Sequence, residues 1–224
     1  MEGGRNSSVE PANAYVQEPP AATDDSPPGV ATLRHFVLQG QRPSQLGDIA
    51  LTEMDPSLRG LLFTDGTVTR TLEVQTLSRV SLDVVGQTRS TATGRIASYL
   101  QAPSGIEAIR RRVVIGVGGS AAPVIWAESH ILPCRLPRDF LDVLSDSSDG
   151  IGESLQQVKL ESWRDMLWFG LDSPPRWSCV DPQSAPQVIT RLYRVITGNR
   201  PALLISESIA VTQRDGTYHL DWLR

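Results

Sequence analysis

A single carboxylate interrupts an apolar strand pattern near the C-terminal end of the chain. In the run Ala202–Val211, Glu207 shares one face with leucine and isoleucine side chains, because side chains along a strand alternate between its two faces. Burying this carboxylate unpaired costs several kcal/mol, so Glu207 needs a cationic partner or a ligand. The pattern therefore predicts either a buried ion pair or a binding site at this position.

Arg111 presents the opposite charge on another predicted strand, residues 110–117. Alternation places Arg111 with three aliphatic side chains and sends Arg110 and Arg112 to the other face. Three interpretations stay open: Arg111 reaches water at the strand end, it pairs structurally with Glu207, or it helps form a pocket for an anionic small molecule. Its planar fork of donors suits a carboxylate in either of the last two.

A second carboxylate, Glu128, lies on the predicted strand 124–132. We expect it to form a structural ion pair with Arg191 or Arg194, which occupy nearby strand positions. An ion pair of this kind stabilises the sheet without taking part in chemistry, and it is the favoured interpretation for Glu128.

Metal and standard catalytic chemistry are not indicated. The histidines His35, His130 and His219 have no ligand spacing, so we predict no metal site. No nucleophile elbow, zinc-peptidase or phosphate-loop motif is present in the sequence. The cysteines Cys134 and Cys179 show no CxxC spacing, and we expect two free, buried thiols rather than a disulfide.

Composition indicates a globular chain with an ordinary core. Of the 224 residues, 40% are hydrophobic and 21% charged, and the net charge is −4 with a pI near 5.4. An acidic chain of this kind does not favour nucleic acid as a partner. The sequence has no secretory signal and no apolar run of membrane-spanning length, so we predict a cytoplasmic protein without membrane contact. Its oligomeric state is expected to be a monomer or a small homo-oligomer.

The elements that position these charges follow from periodicity and turn signals. Asp55-Pro56 predicts the start of a helix, and Gly118-Gly119 predicts a hairpin turn. The order contains no alternation of strand and helix, which favours an α+β fold with an antiparallel sheet of about six strands and helices packed on one side. The predicted elements are a helix at 57–63, a hairpin of 67–74 and 80–85, a loop or lid at 86–105, a hairpin of 110–117 and 124–132, a helix at 138–144, one or two helices within 151–170, and a hairpin of 189–196 and 202–211.

Three sections are predicted along the chain. Residues 1–45 form a disordered or loosely docked extension, because their first 29 residues are polar and rich in proline and glycine. Residues 46–213 form the folded domain, and residues 214–224 form a C-terminal tail.

Five stretches in order carry a resemblance to a known family. They are LRGLLFTDGTVTRTLE, RRRVVI, AESHILP, DGIGESL and RLYRVITGNRPALLISESI, which lie between residues 58 and 209. In order and spacing they resemble the chorismate lyase (chorismate–pyruvate lyase) family, especially its actinobacterial type that makes 4-hydroxybenzoate. The resemblance implies an antiparallel sheet flanked by helices, with an enclosed ligand pocket.

The resemblance also implies a reaction and the residues that perform it. Chorismate would lose its side chain as pyruvate, without metal or organic cofactor, and the product would feed secondary metabolism. Arg111 matches the arginine that binds the substrate carboxylate, and Glu207 matches the acid that contacts the ring hydroxyl and takes part in proton movement. Backbone groups at Val68 and Ile151 match positions that hold the ligand.

Two alternatives remain at this point. The same fold could be adapted to another pericyclic or cyclisation step in natural-product biosynthesis, with Glu207 as the acid. It could also serve as a non-catalytic module that binds a small acid, since a related fold is the effector module of some transcription regulators.

Overall fold

A seven-stranded antiparallel sheet forms the centre of the protein, in a computed structural model that describes residues 30–119, 122–146, 149–181 and 183–222. The strand order is β1-β2-β3-β6-β5-β4, and β7 pairs with the end of β6. The predicted α+β class is confirmed, with one strand more than expected. The strands are β1 (Val80–Ala92), β2 (Ile106–Val117), β3 (Ile125–Ile131), β4 (Trp163–Asp172), β5 (Gln187–Thr197), β6 (Arg200–Arg214) and β7 (Thr217–Leu220).

Six α-helices accompany the sheet in the described ranges. The predicted start of α2 is confirmed, because Asp55 Oδ1 accepts hydrogen bonds from the amides of Ser57 (2.7 Å) and Leu58 (3.0 Å), with Pro56 in the first turn. The helices are α1 (Val30–Leu33), α2 (Pro56–Phe63), α3 (Val68–Thr76), α4 (Gly94–Tyr99), α5 (Arg138–Asp146) and α6 (Ile151–Gln157); single 3-10 turns lie at Gln39–Gln41, Leu51–Glu53, Pro133–Arg135 and Arg176–Ser178.

The sheet buries both of its faces. Helices α2, α3, α5 and α6 contribute to the larger apolar cluster with the inner face, which includes Ile205 of β6. Helix α4 contributes to a second cluster with the outer face, which includes Leu204. The prediction that the helices pack on one side was therefore wrong for α4, which formed part of a stretch without a clear period.

The predicted hairpin of 67–74 and 80–85 was wrong. Residues 68–76 are helical, and the buried positions Val68, Thr69 and Leu72 follow the helical period, whereas Val74 is 75% exposed. The alternation of valine, leucine and threonine fits a strand and a helix equally well over so short a run. β1 instead continues from Val80 to Ala92 and pairs with β2, so residues 86–92 of the predicted loop are strand.

The prediction of helices throughout 151–170 was also only partly right. Helix α6 ends at Gln157, and β4 begins at Trp163. The centre of β4 is buried on both faces, so its continuous apolar run carries no alternation that would distinguish it from a helix.

The β5–β6 hairpin was predicted correctly, but its register contains an irregularity. Thr197 pairs with Arg200 beside the turn, and a shift between Val195 and Ile196 moves every later pair by one residue. Because of this shift, Arg191 lies directly opposite Glu207. The two side chains therefore point to the same face of the sheet.

Both ends of the described chain contact the central domain. Phe36 is buried in the larger cluster, and β7 extends the sheet into the segment predicted as a C-terminal tail. Cys134 and Cys179 are free as predicted, although both are exposed rather than buried. Within the described ranges, no helix combines the length and apolar content needed to span a membrane.

Candidate functional site

A cavity lies between the inner face of the sheet and the N-terminal ends of α3 and α6. Its volume is about 60 Å³, several times the roughly 10–15 Å³ that one water needs. Its walls combine aliphatic side chains with two arginines, one carboxylate and several hydroxyl groups. The lining residues are Thr67, Val68, Thr69, Leu82, Arg111, Val113, Ile115, Ala127, Ser129, Gly150, Ile151, Gly152, Arg164, Tyr193, Ile205 and Glu207.

Glu207 points inward, as its strand pattern predicts, and is 5% exposed. Its Oε2 accepts hydrogen bonds or ion-pair contacts from Arg191 Nε (2.8 Å) and Nη2 (2.7 Å). Of the three interpretations of Arg111, the structural pair with Glu207 is therefore wrong, because the carboxylate is neutralised by Arg191, its neighbour on β5. Arg191 was missed as this partner because counting from the turn without the register shift places it opposite Ser206.

Arg191 also fixes the helix that lies above the sheet. It has no exposed surface, and its Nη1 donates to the carbonyls of Leu61 (2.7 Å) and Leu62 (2.8 Å) at the end of α2. A guanidinium is favourable at the C-terminal end of a helix, where carbonyl groups lack partners within the helix. Arg191 thus links strand β5, next to the cavity, to the end of α2.

Tyr193 forms a hydrogen bond with the second oxygen of the Glu207 carboxylate. Its hydroxyl donates to Glu207 Oε1 at 2.8 Å, and its ring lies below the Arg191 guanidinium at 5.1 Å. Burial raises the pKa of Tyr193, and the Glu207 charge raises it further, so the phenol remains a hydrogen-bond donor. A carboxylate with two oxygens still has lone pairs for a ligand hydroxyl on its cavity side.

Arg111 lies at the other end of the cavity and is 3% exposed, so it does not reach water at a strand end. Its Nη1 donates to Gln87 Oε1 (2.7 Å) and the Leu144 carbonyl (2.9 Å), and its Nη2 donates to the Asp149 carbonyl (3.0 Å). Burial lowers the pKa of Arg111, while the charge of Asp149 acts in the opposite direction. These contacts hold the guanidinium in one orientation beside the cavity.

The register of the sheet sets the distance between the two charged ends. Arg111 pairs with Ser129, which pairs with Ile205, two residues before Glu207. Two strand spacings and two residues along β6 separate the Arg111 and Glu207 Cα atoms by about 12 Å. The two side chains therefore approach the cavity from opposite ends, which suits a small molecule with an acid at one end and a hydroxyl at the other.

Val68 and Ile151 are the first residues of α3 and α6, and both line the cavity. The two helix starts meet at Gly152, where an added Cβ would lie 3.0 Å from Thr67 Oγ1. Glycine at position 152 therefore allows the start of α6 to lie close to Thr67, at the start of α3, beside the cavity. The structure places Val68 and Ile151 at the pocket, and their role as ligand contacts stays a prediction.

Arg164 is a second cavity arginine, which sequence reasoning missed. Its guanidinium lies over the Tyr193 ring at 5.7 Å, and its Nη1 donates to the Asp65 carbonyl. It also lines an outer groove, together with Thr67 and Gly152, so it stands where the cavity adjoins that groove. No sequence signal distinguishes this arginine, because the start of β4 was predicted as helix.

Glu128 faces the opposite side of the sheet and is not part of the cavity. It pairs with Arg112 on the adjacent strand (2.5 Å) and with His130 (3.3 Å), so the predicted partners Arg191 and Arg194 were wrong. Arg194 pairs with Asp165 instead. The hydrogen bond from His130 and the contact with Arg112 lower the pKa of Glu128 to about 2, although burial opposes this shift.

Within the described ranges, no cluster of three or more histidine, cysteine or acidic side chains is arranged to hold a metal ion. The polar groups of the cavity are those that recognise a small organic acid: guanidinium donors, one compensated carboxylate and neutral hydroxyls.

Comparison with known proteins identifies the family. A family model described as chorismate pyruvate-lyase Rv2949c-like matches residues 62–213. The chain is 25% identical to the chorismate pyruvate-lyase of Mycobacterium tuberculosis over 166 residues, which cover 72% of this chain and 83% of that protein. It is also 25% identical to the chorismate pyruvate-lyase of Mycobacterium leprae over 160 residues, covering 70% and 75% respectively.

Solved structures support the fold alone. The crystal structure of PhnF from Mycobacterium smegmatis aligns with a TM-score of 0.51 at 12% identity, over 66% of this chain and 65% of that one. The family model matches residues 62–213, which is most of the chain. The chain belongs to the Rv2949c-like chorismate pyruvate-lyase family.

Proposed function

We propose that this protein eliminates pyruvate from chorismate to give 4-hydroxybenzoate. The observation that carries the proposal is one cavity with Arg111 at one end and Glu207 at the other, in a chain of the chorismate pyruvate-lyase family. Chorismate has a carboxylate on ring carbon 1 and a hydroxyl on ring carbon 4, directly across the ring. Arg111 binds the carboxylate, and Glu207 accepts a hydrogen bond from the hydroxyl.

The chemistry requires orientation and charge stabilisation more than a strong reagent. The bond between ring carbon 3 and the side-chain oxygen breaks, ring carbon 4 loses its hydrogen as a proton, and the side-chain methylene gains a proton to become the methyl group of pyruvate. The ring becomes aromatic, which drives the reaction. Glu207 fixes the hydroxyl next to the reacting carbons and assists the proton movement, and Arg191 and Tyr193 hold its carboxylate in place.

The atoms of chorismate divide between the two products with nothing added or removed. We therefore propose that no cofactor takes part, and that the partner of the protein is a small carboxylic acid. Backbone groups at Val68 and Ile151 complete the pocket, and closure of the two helix starts over the substrate encloses it and excludes water. Cytoplasmic location and a place in secondary metabolism are further parts of the proposal.

The direct test is incubation of the purified protein with chorismate, followed by detection of 4-hydroxybenzoate and pyruvate in equal amounts. We expect turnover, and we expect Arg111→Ala to abolish it because the ring carboxylate loses its anchor. Arg110→Ala is the matched control, since Arg110 is adjacent in sequence and faces the other side of the sheet. Absence of turnover, or equal activity of the two variants, contradicts the proposal.

The same assay separates the two alternatives. A different pericyclic or cyclisation reaction predicts no conversion of chorismate but conversion of another unsaturated acid. A non-catalytic module predicts tight binding of 4-hydroxybenzoate by calorimetry and no conversion of chorismate. The two-ended cavity favours the lyase, because a binding module for an acid requires Arg111 but not an inward-facing Glu207.

A further inference from the structure

The cavity contains two arginines whose environments differ. Arg111 is held by one side-chain amide and two carbonyls at one end. Arg164 lies at the end that holds Glu207 and Tyr193, with its guanidinium over the Tyr193 ring. The cavity thus presents a positive charge at each end, which is more than one carboxylate requires.

Arg191 has a carboxylate partner, Glu207, whereas Arg164 has no such partner among the described residues. The ion pairs found in the described part of the chain do not include Arg164. Its Nε is buried and has no hydrogen-bond partner among the described residues, while Nη1 donates only to a neutral carbonyl, that of Asp65. Arg164 is only partly exposed, and a guanidinium with a buried, unused donor is stabilised by an anion.

A neutral hydroxyl group in the same cavity also has unused capacity. Thr69, in the first turn of α3, is 7% exposed and lines the cavity, and its Oγ1 has no partner within the described ranges. Most buried hydroxyls are hydrogen-bonded, so this one is available to a ligand oxygen.

We propose that Arg164, assisted by the Thr69 hydroxyl, binds a second carboxylate, that of the substrate side chain. This inference rests on the proposed function. The side chain of chorismate is attached to ring carbon 3, next to the carbon whose hydroxyl meets Glu207, so its carboxylate falls at the Glu207 end. With the ring carboxylate on Arg111, the only cavity arginine at that end in the described chain is Arg164.

This position also suits the departure of pyruvate. The electron pair of the broken ring–oxygen bond stays with the leaving fragment, and a guanidinium on its carboxylate stabilises that charge. Arg164 lines the outer groove as well as the cavity. Pyruvate bound to Arg164 would therefore lie next to this groove, through which it can leave.

The test compares two stable probes by calorimetry on the full chain. 4-Hydroxybenzoate has one carboxylate, and 3-(carboxymethoxy)-4-hydroxybenzoate adds a second one at the position of the side chain without being able to react. We expect Arg164→Gln to weaken binding of the second probe by roughly 10- to 100-fold, the value of a hydrogen bond to a charged group, and to leave 4-hydroxybenzoate unchanged. Thr69→Val should give a smaller loss in the same direction.

Controls separate a binding role from a structural one. Arg111→Gln should weaken both probes, and Lys159→Gln, which removes a cation from the outer groove alone, should weaken neither. Arg164→Lys keeps the charge and should retain part of the preference for the second probe. Equal effects of Arg164→Gln on both probes, or no effect on either, overturn the inference, because a merely structural role would not distinguish them.

The outcome is independent of the lyase assay. If the protein does not convert chorismate but prefers the second probe through Arg164, the subsite stands and the proposed reaction fails. If it converts chorismate and Arg164→Gln leaves the KM unchanged, the reaction stands and the subsite fails. If the wild-type protein binds neither probe, the subsite fails whatever the lyase assay shows.

Discussion

The two faces of the sheet each hold an arginine directly opposite a glutamate on the neighbouring strand. On the inner face Arg191 meets Glu207, and on the outer face Arg112 meets Glu128. The side chains of the inner pair are 0% and 7% exposed, whereas those of the outer pair are 29% and 24% exposed. The residue types and the pairing are the same, and the two pairs differ most clearly in burial.

The difference lies in what each pair costs if it is broken. Water can reach a lost partner on the outer face, where both side chains are about a quarter exposed, so breaking this pair costs less. The inner pair has no such access to water, and each charge depends on the other and on fixed hydrogen bonds. The inner pair is also the one beside a cavity, where a compensated carboxylate can serve a ligand.

The largest expected effect comes from breaking the inner pair. Glu207→Gln leaves Arg191 buried without a counter-charge and should lower the free energy of unfolding by about 3–5 kcal/mol, as found for buried pairs that lose one partner. Urea denaturation followed by circular dichroism measures this change. A loss below about 1 kcal/mol, the range of exposed pairs, would mean that the two pairs are equivalent.

Removing both partners sharpens the same comparison. Arg191→Met combined with Glu207→Leu replaces the buried charges with apolar side chains of similar length, and such replacements are often neutral for stability. The double variant also leaves the Leu61 and Leu62 carbonyls and the Tyr193 hydroxyl without these partners, so we expect it to recover only part of the stability lost in Glu207→Gln and to have no lyase activity. A double variant less stable than either single one contradicts this account.

Tyr193→Phe should have an intermediate effect. It removes a 2.8 Å hydrogen bond to a charged oxygen and should cost about 1.5–2 kcal/mol of stability. It should also lower kcat more than it raises KM for chorismate, because the carboxylate is positioned less well. Tyr218→Phe is a matched control, since Tyr218 is another buried tyrosine and does not line the cavity. Equal kinetics for both variants contradict the assigned role of Tyr193.

The smallest effect is expected on the outer face. Glu128→Gln should lower stability by about 1 kcal/mol near neutral pH, less than the inner-face changes, and leave chorismate turnover unchanged. Chemical denaturation and the chorismate assay measure the two quantities. A large loss of activity would show that the outer face communicates with the cavity.

The acid dependence of the outer pair has a definite direction. The pKa of Glu128 is lowered in the folded protein to about 2, so the ionised form is favoured by folding. Its contribution is complete above the ordinary pKa of a glutamate and is lost as the pH falls through that value towards 2. The stability difference between wild type and Glu128→Gln should therefore shrink over this range; a difference that grows on acidification contradicts the assignment.

Sequence reasoning predicted the inward carboxylate and the buried arginine of the site, but not their partners. Glu207 and Arg111 were found because a charge on an apolar strand face is visible in the alternation itself. Arg191 was missed because its position opposite Glu207 depends on a register shift in β5 that no residue type announces. Glu128 was given the wrong partners because the register of the predicted hairpin of 110–117 and 124–132, which places Arg112 opposite Glu128, was not used.

The elements of the fold were likewise predicted in some places and missed in others. Hairpins with clear turns, such as β5–β6, were predicted, whereas α3 was taken for a strand and β4 for a helix. In both cases the run was too short, or too uniformly buried, for its period to be read. Arg164 escaped notice because its importance comes from the cavity that surrounds it after folding.

The contacts of Arg191 with the end of α2 have a consequence for the order of folding. Arg191 and the Leu61 carbonyl are 130 residues apart in the chain, so their hydrogen bond closes a very long loop. The terminal carbonyls of α2 therefore gain this buried partner only after the β5–β6 hairpin has packed against the helix. We expect the part of the cavity around Glu207 and Arg191 to be among the last to form. A ligand that binds there should slow unfolding more than it speeds folding.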